Sequence, residues 1–310
     1  MDALADVLKT IHMHTSTYFC ADFSAPWGMD VERGDEGLFH VVVKGECWLQ
    51  IQGSIDTIHL QAGDIVAFPS GGAHWISDHK DSPRLAGHLV VENIIAGANP
   101  FTLDVTGPVP PAPSNNTIMC GAFSYDTKVK HPFIRDLPCF IHIKSANNPE
   151  LQWLNTLIDT LANEAKTPAP GSTVMVDRLT EVLFIQLMRS YVQSRPGGQG
   201  YLAALSDPQI GKSLNLIHDE QDAQWTVERL GEQVAMSRTA FTEKFSNLVG
   251  MAPKTYLINW RMQKAKRALQ LGEKSMINIA EGAGYSSEAA FSKAFKQFFD
   301  ETPGKVRRGG

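Results

Sequence analysis

Two groups of residues in this sequence could do chemistry, and they ask for different partners. Near the front, His40, His74 and Cys120 offer two imidazoles and a thiol, donors that suit zinc if they converge. Cys20 and Cys120 could instead serve as oxidant-sensitive thiols, which needs a lowered pKa and some exposure. Toward the end, polar residues recur beside pairs of phenylalanines. Arg238, Thr239, Thr242 and Glu243 surround Phe241 and Phe245, while Ser286, Glu288, Ala289, Ser292, Lys293 and Lys296 surround Phe291 and Phe295. Arg and Lys can donate to guanine or to phosphate, and Glu can accept from cytosine, so such faces suit a DNA groove. Each residue also has a plainer role. A solitary His on a strand is more often hydrogen-bonded structure, Cys20 sits among apolar neighbours as core filler, and a polar helix face can be merely solvated.

Positioning both groups takes two domains, which a length of 310 residues also suggests. Residues 16–145 read as β-structure. Runs such as Leu38–Val43, Cys47–Ile51 and Asp64–Phe68 are rich in β-branched and aromatic residues, with turn signals at Lys44-Gly45, Gln52-Gly53 and Pro69–Gly72 between them. Many short strands at this spacing suggest a sandwich or barrel. Pro108, Pro110, Pro111 and Pro113 make Thr106–Asn116 a loop. Beyond Asn148 the period changes: Leu151, Leu154, Leu157, Ile158 and Leu161 recur at helical spacing, and Val176, Leu179, Val182, Leu183, Leu187 and Val192 do so again after a Pro/Gly break. The boundaries expected are a β sensor domain at 1–145, a helical hairpin at 146–194, a linker at 195–206 and an all-helical domain at 207–310.

Composition is that of an ordinary globular protein, with no run of about 18 apolar residues to span a membrane. The stretch Met1–Asp6 has neither a basic head nor an apolar signal run, so the cytoplasm is expected, with the four scattered cysteines as free thiols. Net charge is −5, yet residues 207–310 hold 15 Lys and Arg against 12 Asp and Glu. That balance is only weakly basic. Placement of charge, rather than its total, must carry any affinity for nucleic acid.

Placement is where the sequence speaks most clearly, because the C-terminal segment repeats itself at an offset of 50. Val227, Leu230, Val234, Ser237, Phe241, Phe245, Gly250 and Pro253 are matched by Ile277, Ala280, Gly284, Ser287, Phe291, Phe295, Asp300 and Pro303. Each copy reads as an apolar helix, a tight turn, a Ser suited to N-capping, two Phe on one face, and a residue able to take positive φ at the helix end. Helix, turn and capped helix is the helix-turn-helix plan. Between the copies, a longer helix at about Pro253–Leu271 carries Tyr256, Leu257, Trp260, Ala265 and Leu269 as its apolar side.

The run Ile279–Arg308 resembles the signature of the AraC/XylS family of transcription regulators, and Tyr256–Met262 resembles that family's linker helix. Asp300 and Val306 depart from the family's usual Gly and aromatic, positions that concern helix ending and packing. The resemblance implies that Glu288, Ala289 and Lys293 face base edges and Lys296 the backbone. It also implies promoter DNA, RNA polymerase and a second copy of the chain as partners. Gly63–His74 fits the second cupin motif, and with Phe39–Leu49, Cys120–Phe123 and His131–Pro138 it resembles the cupin-type sensor domain of a subgroup of that family. Cupin enzymes hold a metal through a His-x-His pair, a Glu and a later His; here Val42 stands two places after His40, and the Glu is not evident.

The expectation is therefore an α+β two-domain protein, a cupin-like β-barrel and helical hairpin followed by an all-α domain with two helix-turn-helix units joined by a linker helix. It would act as a sequence-specific DNA-binding regulator, not an enzyme, that senses a small effector or a redox signal. No cofactor is expected, although zinc would be the metal for His40, His74 and Cys120. The alternative is a cupin-type metalloenzyme with a helical appendage, which would have no use for two capped recognition helices.

Overall fold

The computed structural model of the chain describes residues 3–11, 13–101, 116–125, 131–144, 152–167, 169–193, 198–218, 225–272 and 274–308. These form two compact units. One comprises His14–Tyr125 and Leu137–Tyr191; the other comprises Met1–Met13, Asp126–Asp136 and Val192–Gly310.

The first unit is built on two five-stranded sheets. Its strands are β1 (His14–Phe23), β2 (Gly28–Val31), β3 (Gly37–Lys44), β4 (Glu46–Ile51), β5 (Ile58–Gln61), β6 (Ile65–Phe68), β7 (His74–Ser77), β8 (Leu85–Ala86), β9 (Asn116–Ser124) and β10 (Ile141–Ile143). One sheet runs β1-β9-β3-β6-β10 and the other β5-β4-β7-β2-β8. Strand residues alternate between faces, so the inward set, including Phe19, Val42, Leu49, Val66, Phe68, Ile76 and Ile118, makes one core. The two helices expected after the barrel strands are present as α4 (Gln152–Lys166) and α5 (Ser172–Gln193). The second docks on the sheet through Phe184 against Phe123, with ring centroids 4.7 Å apart, and through a Thr15 hydroxyl that donates to the carbonyl of Asp177 at 2.8 Å.

The second unit holds α1 (Ala3–Thr10), α3 (Pro132–Arg135), α6 (Tyr201–Ser206), α7 (Ile210–His218), α8 (Val227–Gln233), α9 (Arg238–Val249), α10 (Pro253–Leu271), α11 (Met276–Gly282), α12 (Glu288–Phe299) and α13 (Pro303–Arg308). Its repeat is structural as well as sequential. Ser237 and Ser287 cap α9 and α12 by accepting from the amides of Ala240 and Ala290, and Gly250 and Asp300 end those helices at φ of 74° and 58°. The first helix of each copy departs from the expected offset by one place: α8 is capped by Thr226 and α11 by Ser275, 49 residues apart, and the turn uses Ala235 at φ 55° where the second copy uses Gly284 at φ 86°, so Gly284 matches Ala235 rather than Val234. Phe241, Phe245, Phe291 and Phe295 are fully buried, and Trp260 nearly so.

Three expectations need correction. The β reading of 16–145 fails at α2 (Gly87–Ile95), where a β-branched run is helical because Val90, Val91 and Ile94 then fall on one side against the core. Tertiary packing overrides local propensity there. The boundary at 145 also fails, because 1–13 and 126–136 belong with the C-terminal unit. In α1, Val7 and Leu8 are buried, and the Ala3 amide donates to Asn215 Oδ1 at 2.9 Å. Finally, the supposed linker 195–206 is helical at Tyr201–Ser206, since Tyr201, Leu202 and Ala204 are core residues. Thr106–Asn115 of the expected loop, Leu151 of the expected helix and 195–197 of the linker lie outside the described residues.

Candidate nucleic-acid interface and barrel cluster

A capped helix whose apolar stripe is fully buried must turn its other side outward. On α9 this leaves Arg238, Thr239 and Glu243 exposed and Thr242 half-buried, its hydroxyl returned to the Arg238 carbonyl at 2.8 Å. On α12 and its approach, Ser286, Glu288, Ala289, Lys293 and Lys296 are all exposed. The structure thus gathers the nominated residues into two outward faces, one per unit. Arg238 is engaged by Glu228 of α8, Nε to Oε1 3.0 Å, a surface pair that a phosphate oxygen could displace. Two exposed residues on these faces escaped the sequence reading, Asn247 and Gln297. They lie one further four-residue step beyond Glu243 and Lys293, a signal that was available in the spacing.

The nominated sensor residues divide. His40 on β3, Cys120 on β9 and His74 on β7 come together in the barrel interior. His40 Nδ1 lies 2.8 Å from Cys120 Sγ, His40 Nε2 lies 2.7 Å from His74 Nε2, and His74 Nδ1 lies 2.8 Å from the Gly72 carbonyl. The carbonyl only accepts, which fixes every proton of the neutral chain. His74 donates from Nδ1 and accepts at Nε2, so His40 donates from Nε2 and accepts at Nδ1 from the Cys120 thiol. Phe68 stacks on His74 with centroids 3.7 Å apart. The donors form a line through the His40 ring rather than a ring around a point. That geometry does not fit a zinc site, and no group of three His, Cys, Asp or Glu among the described residues could hold a metal.

Cys20 stands apart. It is registered opposite Met119 while Cys120 faces Phe19, so the two thiols point to opposite sides of the sheet. Burial pushes the Cys20 thiol up to about 11, against the pull of Lys166, and pushes Cys120 well above its ordinary value. Neither has the thiolate character of a reactive cysteine. A cavity of about 700 Å³ opens beside the cluster, lined by Asp30, Glu32, Arg33, Gln50, His74 and Trp75 among others.

Comparison with known proteins agrees with this architecture. Residues 2–193 match the cupin family, and residues 230–309 match a helix-turn-helix domain. The chain belongs to the cupin family and is a DNA-binding transcriptional regulator rather than an enzyme. Within that class it is an AraC-type regulator with an N-terminal cupin domain. It is 29% identical to the HTH-type transcriptional regulator AlkR of Acinetobacter baylyi over 99% of each chain, and 28% identical to MtrA of Neisseria gonorrhoeae over 89% of this chain and 87% of that one. The DNA-binding domain of AdpA, solved in complex with a target DNA, is 29% identical over 34% of this chain and 93% of that one, with a TM-score of 0.30. Among the described residues no helix is long and apolar enough to cross a membrane.

The buried histidines give the fold a pH dependence. Burial holds His74 down at about 4, with the Gly72 hydrogen bond opposing, and holds His40 well below its usual range with help from His74. In the unfolded chain both titrate near 6.5. The unfolded state therefore binds more protons below that value, so stability is fully present above pH 6.5 and is lost as pH falls toward 4. Urea unfolding at stepped pH should lose on the order of 3 kcal/mol through His74 across this window, with a shallower loss in His74→Gln. Equal slopes in the two proteins would contradict the neutral chain.

Proposed function

We propose that α9 and α12 are the reading helices, each presenting its exposed face to a major groove of promoter DNA. The observation that carries this reading is the duplication itself: two capped helices, each with a buried Phe pair and an outward polar face. Glu288, Ala289 and Lys293 face base edges with Thr239, Thr242 and Glu243 of the first unit, while Arg238, Ser286 and Lys296 serve phosphates or bases at the helix starts. Lys293→Ala should cost roughly 1–3 kcal/mol at particular base positions. Lys296→Ala should weaken binding to all duplexes and flatten the salt slope by about one. Competition binding against base-substituted duplexes separates the two; uniform loss in Lys293→Ala would remove it from base reading.

The barrel is the sensor, and its occupant is a small polar effector. The open cavity lined by Asp30, Glu32, Arg33 and Gln50 supports this, because His74 stands in its wall and ends the hydrogen-bonded chain from Cys120. No metal is needed, since zinc would require those three donors to leave their line. Gln52 also lines this cavity, so Gln52→Trp should occlude it and abolish any change in promoter affinity caused by cell extract, leaving basal affinity intact. A response to mild oxidant that disappears in Cys20→Ser would place the sensor at the thiol instead.

The chain works as a pair, recruiting RNA polymerase beside its site. Trp153 on α4 and Val174, Met175 and Val182 on α5 are exposed apolar residues, and Met175, Leu179 and Val182 follow helical spacing. A second copy covering that stripe would double the DNA footprint. Sedimentation should give a dimer that Val182→Asp converts to monomer; a wild-type monomer at working concentration would overturn pairing.

A further inference from the structure

The segment His131–Asp136 takes no part in the barrel, although barrel strands flank it in the chain: β9 ends at Ser124 and β10 begins at Ile141. Its polar side chains gather instead where α9 turns into α10. Arg135 donates from Nη2 to the Val249 carbonyl at 3.1 Å, and more weakly from Nη1 to Gly250 at 3.4 Å. These are end carbonyls of α9, which the helix itself cannot satisfy, and a cation there also opposes the negative end of the dipole. Asp136 fixes the guanidinium from the other side, at 2.6 Å to Nε and 3.0 Å to Nη2, while its Oδ2 accepts from the Tyr201 amide at 2.8 Å. His131 accepts from the Phe133 amide at Nδ1, so its Nε2 donates to the Tyr256 hydroxyl at 3.1 Å, on the first turn of α10. Gly250 completes the fit. A β-carbon there would collide with the Arg135 guanidinium, and its φ of 74° already favours glycine.

We propose that Arg135 is a positioning residue for DNA reading: the strap 131–136 fixes the corner between α9 and α10, and so the angle at which the first reading helix meets its groove. This rests on α9 being a reader.

The test uses the full chain and a duplex selected by it from random sequence. Arg135→Ala should bind about tenfold more weakly, lose footprint protection over the half contacted by α9, and keep protection over the α12 half. Arg135→Lys should recover part of the loss. The salt slope should stay unchanged, because Arg135 touches protein carbonyls rather than phosphate. Amide exchange should quicken at 246–257 and not in α12. Unchanged affinity and exchange, equal loss over both halves, or a salt slope reduced by one would each overturn the proposal. Thr239→Ala with Glu243→Ala separates the two claims: if that double variant leaves the α9 half protected, the reading of α9 fails instead.

Discussion

A phenol sealed from water must find every hydrogen-bond partner within the protein, and Tyr256 is such a phenol. Its hydroxyl meets His131 Nε2 at 3.1 Å, His218 Nε2 at 2.8 Å and the Tyr201 hydroxyl at 3.0 Å. Losing any one would leave a buried polar atom short of a partner, at a cost of roughly 1–3 kcal/mol. The four rings come from α10, the strap, α7 and α6, so satisfying one oxygen fixes four segments in mutual register. His131 is held down at about 3 by burial, despite Asp136 nearby, and so stays neutral and able to play its part.

Around that hub the duplicated units solve one physical problem twice. A short helix cannot hold itself together in water, so each reading helix depends on a Ser cap, a left-handed terminus and two phenylalanines driven into a core. What remains outside is polar by necessity. Binding specificity then resides in residues that stability leaves free to vary, while the apolar side keeps the two faces on a common scaffold through Trp260 and its neighbours.

The parts governed by local rules were legible in the sequence. Caps, positive-φ ends and Phe stripes have short-range signatures, and even Asp300 in place of Gly behaves as its backbone demands. The meeting of His40, His74 and Cys120 could be suspected but its linear form could not, because the direction of each imidazole depends on strand register and on the Gly72 carbonyl. Least legible was membership of the units. His131–Pro138 looked like sensor sequence because its neighbours in the chain are strands, whereas residues 131–136 contact helices 65 to 125 residues further along the chain. Charge and hydrophobic period say nothing about which core a connecting segment will join. The helix α2 escaped for a related reason, as the core decided what a β-branched run could not.

Because the chain crosses between its two units more than once, neither can be cut out at a single point. A fragment beginning near residue 207 would carry both helix-turn-helix copies, yet it would leave behind α1, the strap and α6. The Tyr256 hydroxyl would keep His218 but lose His131 and Tyr201, and the end of α9 would lose its guanidinium lid. Work on such a truncated piece would measure a frayed first copy beside an intact second one. Moving the reading half onto another sensor would have to bring the strap along.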